Sequence, residues 1–153
     1  MDRDTSRRAF LQAAAAALGI AVIRVVPVHA TSAAMDDAIH KIVGASNVSK
    51  GRVTLELPPL SENGNTVPLT VSVESPMTQA EHVRAIHIFT ELNPRPDVVS
   101  FRFGPRAGRA RVSTRIRLAT TQTVTAIGEL SDGSFWSTSA AVVVTLAACL
   151  EDA

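Results

Sequence analysis

An all-β protein is predicted by three observations. Beyond residue 50 the apolar residues recur with period 2, the hallmark of half-buried strands. Turn signals punctuate that pattern at intervals of roughly 8–12 residues. One segment before it, and only one, has the period of an amphipathic helix. Together they describe about seven strands preceded by one short helix, an immunoglobulin-like antiparallel β-sandwich.

The helix comes first. Met35, Ala38, Ile39, Ile42 and Val43 fall at i, i+3, i+4, i+7 and i+8, so they share one face. Ser32 is the expected cap, with Asp36 and Asp37 early, His40 and Lys41 late, and Gly44 as the stop. This helix is expected to lie against the edge of the strands that come after it. His40 falls on its solvated side.

Arg52-Val53-Thr54-Leu55-Glu56-Leu57 alternates and ends at Pro58-Pro59. Val67, Leu69, Val71 and Val73 alternate with Pro68, Thr70, Ser72 and Glu74. Pro68 donates nothing to a ladder and belongs at a strand start or an edge. Ile86, Ile88, Thr90 and Leu92 share one face of a third run, broken by Asn93-Pro94-Arg95-Pro96. Val99, Phe101 and Phe103 make a fourth. Val112, Ile116 and Leu118 oppose Arg111, Ser113, Arg115 and Arg117 in a fifth, whose arginines read as the wet face of a strand rather than a binding stripe. Val124, Ala126 and Leu130 form a sixth, closed by Ser131-Asp132-Gly133-Ser134. The last run, Ala140 to Ala148, is nearly all apolar and is expected to be buried on both faces or covered by a partner.

Composition narrows the function. Hydrophobic residues are 46% of 153, charged residues 19% and the net charge +1, which excludes a disordered tail and a strongly basic nucleic-acid binder. Aromatics at 4% leave little for stacking bases or sugars. A single cysteine, Cys149, excludes an intramolecular disulfide, a cysteine-rich zinc site and a Cys-x-x-Cys redox centre. His82, Arg84 and His87 fall on one strand with the two histidines on opposite parities, so they read as ordinary strand residues and neither a metal pair nor a base. No cofactor or metal is implied.

Residues 1–30 read as an address. Ser6-Arg7-Arg8-Ala9-Phe10-Leu11-Gln12 is a twin-arginine pattern, followed by an uncharged stretch from Ala9 to Ile23. That stretch falls short of the ~20 residues that span a bilayer. Val28-His29-Ala30 places small residues for cleavage after Ala30; an uncleaved anchor is the alternative. Export in a folded state to the periplasm is the implication, with no membrane attachment after cleavage. The remaining 123 residues carry a net charge of −1, so nothing steers the body to nucleic acid or anionic lipid. The chain then divides into the leader, a helix and linker over 31–49, the sandwich over 50–144, and a C-terminal arm over 145–153.

Cys149 lies in that arm, in Thr145-Leu146-Ala147-Ala148-Cys149-Leu150-Glu151-Asp152-Ala153. If Val144 is the last anchored residue, the sulfur reaches roughly 16 Å from the sandwich. An exported protein with one unpaired cysteine suggests an intermolecular bond or a reactive thiol. A structural role stays open, because free cysteine is among the most buried residue types. Glu151, Asp152 and the terminal carboxylate disfavour the thiolate, so the thiol pKa is expected above the free value of about 8.5. No His or Arg adjoins it. A thiol enzyme such as a peroxidase lacks its base here, and activation is expected inside a basic pocket of another protein.

Three stretches resemble the sulfur-oxidation carrier family SoxY: Leu57-Pro58-Pro59-Leu60-Ser61-Glu62-Asn63-Gly64 running to Val67-Pro68-Leu69; Asn93-Pro94-Arg95-Pro96 with Phe101-Arg102-Phe103; and Val112-Ser113-Thr114-Arg115-Ile116-Arg117-Leu118-Ala119 with Gln122-Thr123-Val124 and Ser131-Asp132-Gly133. The resemblance implies an immunoglobulin-like, non-enzymatic subunit paired with SoxZ, whose arm cysteine carries sulfur intermediates such as those of thiosulfate between periplasmic enzymes. Cys149 is then the attachment point, flanked in the arm by Ala147, Ala148, Leu150 and Glu151. The family's arm is Gly-Gly-Cys-Gly-Gly; the ending here is similar to the Ala-Ala-Cys-Ile-Glu arm of SoxY-related proteins, with Leu150 for Ile. Alanine and leucine restrict the backbone turns that glycine permits, so a dedicated loading enzyme with a wider pocket is expected. A SoxZ-like partner or self-association is expected to cover the apolar last strand. The competing expectation is an immunoglobulin-like interaction subunit with a structural cysteine.

Overall fold

In the computed structural model, residues 31–148 are described. The leader and the segment 149–153, including Cys149, Leu150 and Glu151, lie outside them. Among the described residues a helix, α1 (Ser32–Val43), precedes nine strands: β1 (Val48–Lys50), β2 (Val53–Glu56), β3 (Leu60–Ser61), β4 (Val67–Val73), β5 (Val83–Thr90), β6 (Asp97–Arg102), β7 (Ala110–Ile116), β8 (Gln122–Leu130) and β9 (Phe135–Val144). They form two sheets. The larger has the order β1-β9-β8-β5-β6 with β3 also on β9, and the smaller is β2-β4-β7.

The helix is capped one residue earlier than expected. Thr31, in extended conformation, accepts at Oγ1 from the amide of Ala34, and Ser32 is already helical. Gly44 closes the other end at φ 60°, where a side chain is disfavoured. Nor does α1 lie on an edge. Its apolar face packs Met35, Ala38, Ile39, Ile42 and Val43 over Phe89, Ile127 and Phe135, on the outer face of the large sheet.

The main core lies between the sheets. Val67, Leu69, Val71 and Val73 of β4 face Ile86, Ile88, Val124, Ala126 and Val142. Alternation along β4 is as the sequence predicts, with odd positions buried and Pro68 exposed. Pro68 is tolerated because the β2 ladder stops at Thr70, leaving β4 only β7 as neighbour there. The arginines of β7 point to solvent, and Arg111 meets Glu56 at 3.3 Å.

Three differences from the sequence-based expectation concern β9. It starts at Phe135, five residues before the apolar run, and it ends at Val144. It also receives two short parallel neighbours, β1 at Phe135–Ser137 and β3 at Val143–Val144. Neither is signalled by periodicity, because strands this short contain too few alternations. The expected burial on both faces is not found: Val142 is sealed while Ala141 and Val143 are exposed.

Candidate functional site

Past the end of β9 the chain stays tied to the body by a set of long-range hydrogen bonds. Val143 N–H donates to Pro59 and Thr145 N–H to Ser61, extending the β3 pairing. Thr145 Oγ1 donates to the Glu62 carbonyl at 3.2 Å. Gly64 N–H donates to Leu146 at 2.7 Å, and Ala148 N–H donates to Leu118 at 3.1 Å. Leu118 N–H in turn donates to Gly64 at 2.8 Å, closing a backbone triangle. Ala147 is exposed and Ala148 half-buried. The last tie among the described residues is therefore at Ala148, four residues beyond Val144 and directly before Cys149 in the chain.

The loop that accepts the tail is itself held by a buried polar network. Asn93 Nδ2 donates to the Arg117 carbonyl at 2.8 Å, and Asn93 Oδ1 accepts from Ala119 N–H and from Gln122 Nε2, each at 2.9 Å. Gln122 Oε1 accepts from Leu92 N–H at 2.8 Å. Both side chains are buried, so each missing partner would leave a desolvated polar group. Beside them Thr121 Oγ1 accepts from Val144 N–H at 2.9 Å. Gly64, Asn93, Thr121 and Gln122 all escape sequence reasoning as site-building residues. Asn63-Gly64 and Asn93-Pro94 are turn signals, but a turn signal does not say which distant backbone it will meet.

Around this exit the surface is apolar. Leu60, Val143 and Leu146 are exposed at 52%, 47% and 62%, and Leu60 lies opposite Val143 in the β3–β9 register. On the far side of the Asn93 network an open cleft of about 440 Å³ lies between β6 and β7, lined by Asn93, Arg95, Asp97, Val99, Arg115 and Arg117 among others.

A second polar cluster lies on the outer face of the large sheet, remote in sequence from the tail. His87 Nδ1 shares a hydrogen with Ser100 Oγ at 2.7 Å, and Nε2 is 3.7 Å from Glu129, which also meets Arg84 at 3.3 Å. Burial pushes the His87 pKa below its ordinary value, against the opposing pull of Glu129. Thus His87 is a strand residue of β5, as expected, with a buried side chain bonded through Nδ1 while Nε2 has no hydrogen-bond partner. His82 precedes β5 and its Nδ1 pairs with the Thr78 carbonyl. Among the described residues no group of three or more His, Cys, Asp or Glu is placed to hold a metal ion. No described helix is long and apolar enough to cross a membrane.

These features define a two-sheet β protein whose C-terminal tail exits beside an apolar patch. The family model for the sulfur oxidation protein SoxY matches residues 39–149, a span that ends on Cys149. The chain belongs to the SoxY family. Its structure is similar to that of the sulfur carrier protein SoxY from Chlorobium limicola f thiosulfatophilum, with 30% identity, a TM-score of 0.64, and coverage of 76% of this chain and 100% of that one. Superoxide reductases share the fold alone: the Ignicoccus hospitalis neelaredoxin at 19% identity and TM-score 0.56, covering 61% of this chain and 80% of that one, and a putative one from Thermotoga maritima at 21% and 0.53, covering 64% and 87%. No curated protein matches the chain in sequence. Membership of this family supports a role in sulfur oxidation as a carrier.

Proposed function

We propose that this protein holds sulfur intermediates covalently on Cys149 and presents them to partner enzymes of the periplasm, itself catalysing nothing. The observation that carries the reading is the position of the cysteine: the family match runs to Cys149, and the body's hydrogen bonding to the tail reaches Ala148, one residue before it. Cys149 directly follows, in the chain, the last described residue tied to the body. Its chemistry is that of a thiolate. Joining it to a sulfane sulfur such as that of thiosulfate forms one S–S bond, releases the thiol proton and removes two electrons, which a redox partner must accept. Acidic neighbours Glu151 and Asp152 disfavour the thiolate, so a basic pocket in the loading enzyme supplies the activation.

The arm is of the Ala-Ala-Cys-Ile-Glu kind, with Leu150 replacing Ile, and the loading enzyme is one whose pocket admits Leu150 and Glu151. A SoxZ-like subunit, or a second copy, covers the exposed Leu60, Val143 and Leu146. The twin-arginine leader over residues 1–30 delivers the folded chain. Intact-mass spectrometry of periplasmic material tests the central claim: adducts of sulfur mass on Cys149 that reductant removes are expected, and Cys149→Ser abolishes them. A chain recovered only as the free thiol from cells oxidising sulfur compounds refutes it.

A further inference from the structure

Gly64 stands where three backbone segments converge, and it is buried. Its amide donates to Leu146, its carbonyl accepts from Leu118, and the Leu118 carbonyl accepts from Ala148. A Cβ at this position would lie 2.5 Å from Leu118 O, 2.8 Å from Ala148 N and 3.0 Å from Leu146 O. All three are main-chain atoms, so no side-chain rotation makes room and the backbone itself must part. Gly64 is not among the residues with positive φ. Glycine is required here by close approach rather than by conformation.

We infer that Gly64 is a positioning residue for the carrier thiol: by admitting the tail against its own backbone it latches Leu146 and Ala148 to the body and fixes where Cys149 departs. The inference rests on the carrier reading of Cys149. With the latch closed, Cys149 is one position past a tied residue; with it open, the nearest tie is Thr145, held by Ser61 and Glu62, four positions away and roughly 13–14 Å of extended chain. The consequence expected is that a partner engages the thiol close to the body rather than at the end of a long free arm. Opening the latch lends the tail three further residues, 146–148. Two amide hydrogen bonds are the sort of contact that opens locally without global unfolding.

The full mature chain, free of cargo, provides the test, with iodoacetamide as a small probe and a maleimide on a long polymer as a bulky one. Relative to a free Ala-Ala-Cys-Leu-Glu peptide, the bulky reagent should be disfavoured. Gly64→Ala should raise its rate about tenfold while changing the iodoacetamide rate less than about twofold. Four glycines inserted between Ala148 and Cys149 should do the same in the Gly64 background, and Gly64→Ala should then add nothing. A Gly64 that is merely structural lowers the melting temperature and leaves the ratio of the two rates unchanged, which overturns the inference. Should Gly64→Ala not fold, amide exchange on the unaltered protein decides. Protection of the Ala148 and Gly64 amides of about tenfold or more supports the latch, and an Ala148 amide exchanging at the peptide rate overturns it. Neither alkylation nor exchange needs sulfur cargo. Absent adducts with a closed latch therefore refute the carrier role alone, and adducts on a chain with an unprotected Ala148 refute the latch alone.

Discussion

The two ends of β9 have opposite surroundings. At its start Phe135 is 8% exposed, roofed by α1 and flanked by the parallel strand β1. At its finish Val143 is 47% exposed, α1 packs elsewhere, and the flanking strand β3 is two residues long. One strand thus serves as core at one end and as a launching point at the other. Burial near the start stabilises the body, whereas the finish is held by directional hydrogen bonds that leave Val143 exposed.

The sharpest way to break this contrast is to truncate one side chain in the cluster beneath α1, on β5, and one just past the finish of β9. Phe89→Ala removes a fully buried ring from beneath α1 and should cost about 3–5 kcal/mol of unfolding free energy, whereas Leu146→Ala should stay within about 0.5 kcal/mol. Equal losses in denaturant titrations would mean that the exit patch is core. Next in size, Gln122→Ala leaves Leu92 N–H without its acceptor and Asn93 Oδ1 with Ala119 N–H alone, an expected loss of about 1–3 kcal/mol. Because this network holds the loop that carries Leu118, exchange of the Ala148 amide should also quicken; an unchanged rate would detach the network from the exit.

Thr31→Ala deletes the cap of α1 and should cost about 0.5–1 kcal/mol at the β9 start without touching thiol labelling. The smallest effect is one of pH. His87 has its folded pKa lowered beneath the ordinary 6.5, so the unfolded chain binds the proton more readily. Its contribution is present above the unfolded value and is lost as pH falls through 6.5 towards the folded one. Stability should therefore decline on acidification in that window, and His87→Gln should flatten the slope. An identical slope in the variant would locate the pH dependence elsewhere.

Much of the architecture was legible because period 2 reports burial directly. The runs at Val67–Val73 and Val124–Leu130 became β4 and β8, and the helical face of Met35 to Val43 became α1. What escaped notice was pairing. β1 and β3 have little pattern of their own and exist because β9 offers them an edge at each end. The apolar look of Ala140 to Ala148 likewise concealed a strand that is buried on one face only and a tail that leaves it.

The candidate site divides in the same way. Cys149 stands out as the single thiol in an acidic C-terminal stretch, since composition and position in the chain are local facts, and its three-dimensional setting lies outside the described residues. That Gly64, Leu118 and Ala148 meet was decided only by folding, because the contact joins backbone atoms of residues up to 84 positions apart and no side chain announces it. Side-chain chemistry is written residue by residue along the chain, while the closeness of two main chains depends on how every intervening strand is stacked.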